Sequence, residues 1–143
     1  MKKKLINMYV GGEKVIILSE RGYRKKHHVS YDTVLGMENA FEKEGAAIRE
    51  LSPVLHRVNS ILKWKLHVKT QISDSISGSA SSLNWYLYIC MGIQDLESNL
   101  LTLKKISNKT KHVIIYCFDT WESQYKRWEN AFKEINPYCI FFA

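Results

Sequence analysis

Residues 112–118 read HVIIYCF, an apolar run between the turn at Ser107–Thr110 and a segment that opens Asp119-Thr120-Trp121. A run this short, rich in β-branched and aromatic side chains, predicts a strand buried on both faces. Downstream, Trp121, Tyr125, Trp128, Phe132 and Ile135 recur at spacings of four, three, four and three, one stripe of a helix that Pro137 stops. Cys139–Phe142 then begins another strand. Upstream, WYLYICM (Trp85–Met91) predicts a strand ended by Gly92, and Ile93, Leu96, Leu100, Leu103 and Ile106 predict one helix leading into HVIIYCF.

Further from this centre the same alternation continues. Val15–Leu18 is a continuous apolar run that reads as a buried strand. Val34, Leu35, Met37, Ala40 and Phe41 follow helical spacing, with Ser30 or Asp32 as the cap and Gly45 at the C′ position. Ala46–Leu51 is a weaker strand closed by Ser52-Pro53. From Val54, the set Val54, Val58, Ile61, Leu62, Val68 and Ile72 predicts a helix, and the serine-rich SDSISGSASS (Ser73–Ser82) has little to order it. The order β-α-β-α-β-α-β-α-β predicts a three-layer α/β domain over residues 14–143, with a mostly parallel, doubly wound sheet of about five strands. Residues 1–13 stand apart as a leader or a short hairpin with the first strand. A last strand with no helix to cover it implies the N-terminal half of a larger two-domain protein.

At 143 residues, 45% hydrophobic and 24% charged, the chain has the composition of one globular domain. Its net charge of +7 favours anionic partners without choosing among them. Cys90, Cys117 and Cys139 lie in apolar runs with no CxxC spacing, which predicts buried reduced thiols rather than zinc or redox chemistry. There is no secretory leader pattern and no apolar run near the ~18 residues that span a bilayer, so the expected location is the cytoplasm.

In open parallel sheets, ligands bind beyond the carboxyl ends of the strands. That places candidate chemistry in Ser19–Ser30, Leu51–Pro53, Gly92–Asp95 and Asp119–Trp121. The serine-rich connector is expected at the opposite end. Neither GxGxxG nor GxxxxGK[ST] follows the first strand, so neither phosphate-cradling loop is present. That loop instead offers Glu20, Arg21, Tyr23, Arg24, Lys25, Lys26, His27, His28 and Ser30. These suit an anion or carbohydrate subsite, with guanidinium groups for anions, Tyr23 for stacking and His27 or His28 as acid or base. They also read as a solvated charge run. Adjacent histidines diverge and no third ligand is spaced nearby, so no metal is expected there. Asp119 suits a base or a hydroxyl-orienting carboxylate, and it also fits a capping arrangement with Glu122. The bases between Lys63 and Lys69 read as a solvated helix face, which makes nucleic acid an unlikely partner.

The segments KVIILSERGYRKKHHVSYDTVLGMENAF (residues 14–41) and KHVIIYCFDTWESQYKRWENAFKEINPYCIFFA (residues 111–143) resemble the N-terminal Rossmann-like domain of bacterial GT-B glycosyltransferases. The similar points are SERG after the first strand, SYD and VLGME opening the first helix, and YCFDTW after the fourth strand. The resemblance implies an acceptor-side domain that faces a second, donor-binding domain across a cleft. It implies a nucleotide-sugar donor, a carbohydrate or glycan acceptor and no cofactor, while the net charge of +7 suits peripheral contact with an anionic membrane surface. Carried onto this chain, Asp119, His27 and His28 become base or hydroxyl-orienting residues. Glu20, Arg21, Tyr23, Arg24, Lys25, Ser30, Gly92, Asp95 and Trp121 line the acceptor side. Transfer by this chain without the donor domain is not expected. The rival reading is a non-catalytic Rossmann-like module that binds phosphate-containing ligands or nucleic acid through its basic loop.

Overall fold

A computed structural model of the chain describes residues 9–10, 13–24 and 31–142. Its strands are β1 (Tyr9–Val10), β2 (Glu13–Ser19), β3 (Ala47–Glu50), β4 (Asn84–Cys90), β5 (Val113–Cys117) and β6 (Cys139–Phe142). Its helices are α1 (Arg21–Arg24), α2 (Tyr31–Lys43), α3 (Pro53–Trp64), α4 (Ile93–Ser98), α5 (Leu100–Thr110) and α6 (Tyr125–Ile135).

The five longer strands form a parallel sheet in the order β3-β2-β4-β5-β6. β1 pairs antiparallel with the start of β2, beside the edge that β3 occupies further along. The chain steps from β2 outward to β3, then returns past β2 to β4 and continues to β6. Right-handed crossovers in opposite directions put their helices on opposite faces. α2 therefore stands on one face, and the α4, α5 and α6 connections on the other. This is the expected three-layer, doubly wound, Rossmann-like α/β fold, with helices on both sides of the sheet.

Strand alternation sorts the core accordingly. On the side of α4, α5 and α6, Ile16, Leu18, Tyr86, Tyr88, Cys90, Val113, Ile115 and Cys117 pack with Leu96, Leu103, Ile106, Trp128 and Ile135. On the α2 side, Ile17, Leu87 and Ile89 pack with Val34, flanked by Met37 and Phe41. α2 ends as the sequence predicts: Gly45 takes φ 109°, a conformation that costs glycine no steric strain, and its N–H donates to Glu42 O.

Four local expectations are corrected. The helix begun at Val54 stops at Trp64, and His67 adopts φ 53° just beyond, so Val68 and Ile72 are not helical. The helix expected over Ile93–Ile106 is two helices broken at Asn99, whose φ and ψ of −107° and 11° leave the helical basin. The serine-rich segment is anchored. The backbone N–H of Ser52 donates to Asp74 Oδ2 at 2.7 Å, and the Asp74 N–H donates to Thr102 Oγ1 at 2.8 Å. The start of that segment thus reaches the N-cap of α3, at the carboxyl end of β3, and does not lie wholly at the opposite end. Finally, Asp119 caps no helix. A 3-10 turn at Glu122–Gln124 precedes α6, its N-cap is Trp121, and Asp119 lies exposed at φ 47°.

Candidate functional site at the carboxyl ends of β2 and β4

Ser19 and Glu20 close β2 and, by alternation, serve opposite sides of the sheet. Ser19 Oγ donates to Glu38 Oε2 of α2 at 2.7 Å. Arg21 joins that carboxylate through Nη2 at 3.0 Å and Nε at 3.2 Å. Glu38 is fully buried, and the guanidinium provides a charge partner for it.

Glu20 turns to the other side, where its Oε1 accepts from Tyr88 Oη and Asn99 Nδ2. Asn99 Nδ2 also lies 3.1 Å from Tyr88 Oη and 3.1 Å from Asp95 O. The break between α4 and α5 is what turns this amide into the cluster. His56 enters from α3: its Nε2 lies 3.3 Å from Asp95 Oδ1 and 3.9 Å from Glu20 Oε2. Glu20, His56, Tyr88, Asp95 and Asn99 are all buried. Burial, and then the charge on Glu20, push the Tyr88 phenol well above its ordinary range, so it serves as a neutral O–H donor.

This constellation occupies the point where the strand order reverses, the crevice at which open α/β sheets bind ligands. It brings two expected residues, Glu20 and Asp95, together from separate loops. Arg21 is half-buried and directed at Glu38. Gly92 is the extended N-cap of α4, and its carbonyl accepts from Asp95 N at 3.2 Å. Asp119 and Trp121 are exposed beyond β5. Tyr23 and Arg24 lie in α1, and Lys25, His27, His28 and Ser30 fall outside the described residues.

His56, Tyr88 and Asn99 were not among the sequence candidates. His56 and Asn59 lie one helical turn apart on α3 and are 5% and 3% exposed, whereas Val54 and Ile61 are 67% and 38% exposed. The helix buries a polar edge that the apolar set from Val54 does not mark. The signal was present as His56 and Asn59 at i, i+3 directly after a serine cap, whose Oγ accepts from Leu55 N at 3.3 Å.

One ligand atom each from Glu20, His56 and Asp95 falls within 4.8 Å of the others, a donor set of two carboxylates and an imidazole that a divalent cation would accept. The donors already directed at Glu20, and the approach of His56 Nε2 to Asp95, make a shared proton the simpler occupant. Chemically, the arrangement suits binding a hydroxyl group and taking its proton, because an imidazolium formed between two carboxylates is stabilised by both.

No family model matches this chain, and neither does any curated protein or solved structure. No helix among the described residues is long and apolar enough to cross a membrane.

Proposed function

We propose that this chain is the acceptor-side domain of a glycosyltransferase, which holds the hydroxyl compound that receives a sugar from a nucleotide-sugar donor. The observation that carries the reading is the meeting of Glu20, His56 and Asp95 at the reversal of strand order. Two buried carboxylates and a histidine recognise hydroxyl groups by accepting their protons, which is the chemistry an acceptor requires. In the reaction the acceptor oxygen forms a bond to the anomeric carbon while the bond from that carbon to the diphosphate oxygen breaks. The nucleoside diphosphate leaves with the electron pair, and the hydroxyl proton passes into the Glu20–His56–Asp95 cluster. Asp95 orients the imidazole and, with Glu20, balances its positive charge. Tyr88 and Asn99 donate to Glu20 and hold its carboxylate in place. Donor binding belongs to a second domain.

The alternative, a phosphate-binding module, draws less support. The first basic residue of its loop, Arg21, is engaged by the buried Glu38.

Calorimetric titration of the chain with a panel of methyl glycosides tests the reading. At least one glycoside should bind saturably, and His56→Gln or Asp95→Asn should weaken it about tenfold or more while melting remains cooperative. Failure of every glycoside to bind, or unchanged binding in both variants, would sink the proposal.

A further inference from the structure

The lysines between Lys63 and Lys69 do not share one helix face. α3 stops at Trp64, and the chain turns back through His67, whose φ of 53° is costly for a residue with a Cβ. The turn gathers cations that the sequence keeps apart. Lys63 of α3, His67 and Lys69 of the returning segment, and Lys104 of α5 line one cavity of about 540 Å³, a size usual for small-molecule sites. Its walls are fixed by hydrogen bonds. Gln71 Oε1 accepts from Leu101 N at 3.0 Å, and Gln71 Nε2 donates to Glu97 O, which ties the returning segment to α4 and α5. Val68 N donates to Leu62 O at 2.8 Å and ties it to α3.

The charge around this cavity is unbalanced. Among the described residues Glu134 is the one carboxylate in its lining, against three lysines and an imidazole. Neither Lys69 nor Lys104 has an ion-pair partner among those residues. Lys63 has one, but shares it: buried Glu97 accepts from Arg127 Nε at 2.8 Å and pairs with Lys63 as well. Burial, and then the charge on Arg127, lower the Lys63 ammonium below its ordinary value, while Glu134 acts the other way. Ammonium groups brought around one hollow from three separate segments repel one another. An anion placed in the hollow turns that repulsion into attraction.

We propose that this cavity binds a phosphate ester, with the phosphate held by Lys63, Lys69, Lys104 and an N–H of His67, and the organic part against Val68, Leu100 and Leu101. Each ammonium is a compact charge with three donors, which suits the oxygens of a phosphate dianion. A carboxylate brings one charge and two oxygens and would leave the cations less satisfied. A soluble phosphate ester and the headgroup of a phosphomonoester lipid present the same chemistry to these residues. The site is separate from the basic loop after β2. It uses no residue of the Glu20–His56–Asp95 cluster, so it stands whether or not the chain binds glycosides.

The test is calorimetric titration of the chain with phenyl phosphate, beside sedimentation with phosphatidylcholine vesicles that carry or lack phosphatidic acid. Both are run at physiological ionic strength, where screening over about 8 Å suppresses attraction by distant charges. The expected result is saturable binding in at least one arm, weakened about fivefold by Lys69→Gln and by Lys104→Gln. Neither lysine is buried, so both variants keep the fold, as unchanged melting would verify. Lys43→Gln removes the same charge from α2, on the other face of the sheet, and should leave binding within about twofold. Binding of phenyl phosphate assigns a soluble ester, and binding only to vesicles with phosphatidic acid assigns a lipid headgroup. Absence of saturable binding in both arms would overturn the proposal. So would an equal loss in Lys43→Gln, which would reduce the binding to attraction by net charge.

Discussion

Ile114 and Ile115 are neighbours in β5 with the same side chain, yet they lie in different surroundings. Ile115 faces the side covered by α4, α5 and α6 and is fully buried. Ile114 faces the side that carries α2 and is only partly buried. The difference follows from chain direction. A single leftward step, from β2 to β3, sends one helix to one face, and the rightward connections send the others to the opposite face. Hydrophobicity in the strands is similar on both sides, so handedness rather than composition decides which side is closed. The polar site belongs to the closed side, where Glu20 and Tyr88 continue the alternation of Leu18 and Tyr86.

The largest expected effect tests the contrast itself. Ile115→Ala should cost about 4 kcal/mol by urea unfolding, and Ile114→Ala about 1 kcal/mol, because the latter loses few packed neighbours. Equal losses would mean that the two faces are equally closed.

On the open face, α2 is held at its inner edge by a polar clasp as well as by apolar contacts. Arg21→Ala removes one charge partner of buried Glu38 and should cost about 2 kcal/mol, less than full burial would give, since the arginine side chain is 21% exposed. A loss close to zero would show that Glu38 does not depend on Arg21.

Tyr88→Phe probes the rim of the closed face. Removing a donor to a buried carboxylate should cost about 2 kcal/mol at neutral pH. The sign of the pH dependence follows from the raised phenol. Its contribution is complete below the unfolded-chain value of about 10 and is lost as pH rises through the folded value. Wild type should therefore destabilise more steeply than Tyr88→Phe above about pH 10, as read from melting temperature against pH. Parallel curves would remove Tyr88 from the network.

The smallest effect belongs to Asp119, between the two faces. Its φ of 47° suits glycine better, so Asp119→Gly should stabilise by about 0.5 kcal/mol. A loss instead would mean that the carboxylate makes a contact worth more than the strain.

Strand positions and layer order were readable because apolar runs bounded by turns have a single use in a parallel sheet. HVIIYCF became β5 with one residue trimmed from each end. α3 was misread for a physical reason. Periodicity identifies two sides of a helix but not which one is buried when the inner partner is itself polar. Here Asn59 makes two hydrogen bonds with the Ile72 backbone, Nδ2 to O at 2.9 Å and N–H to Oδ1 at 2.8 Å, so polar burial holds the returning segment. The serine-rich stretch misled for a similar reason, since its order comes from Asp74 bridging distant backbone and Thr102. Two of the site carboxylates were legible from their position after strands. His56 and Asn99 were not, because each depends on a helix end or a helix orientation that only packing determines.

The proposed function requires His56 to meet an acceptor hydroxyl between Glu20 and Asp95. The most direct measurement is the ring resonance of His56 in histidine-labelled protein, followed while a bound methyl glycoside and then its deoxy counterpart are titrated in. The expected result is a saturable shift with the glycoside that disappears with the deoxy compound and in Asp95→Asn. A His56 resonance that stays unmoved while the glycoside binds, or that shifts equally with both sugars, would contradict the assignment.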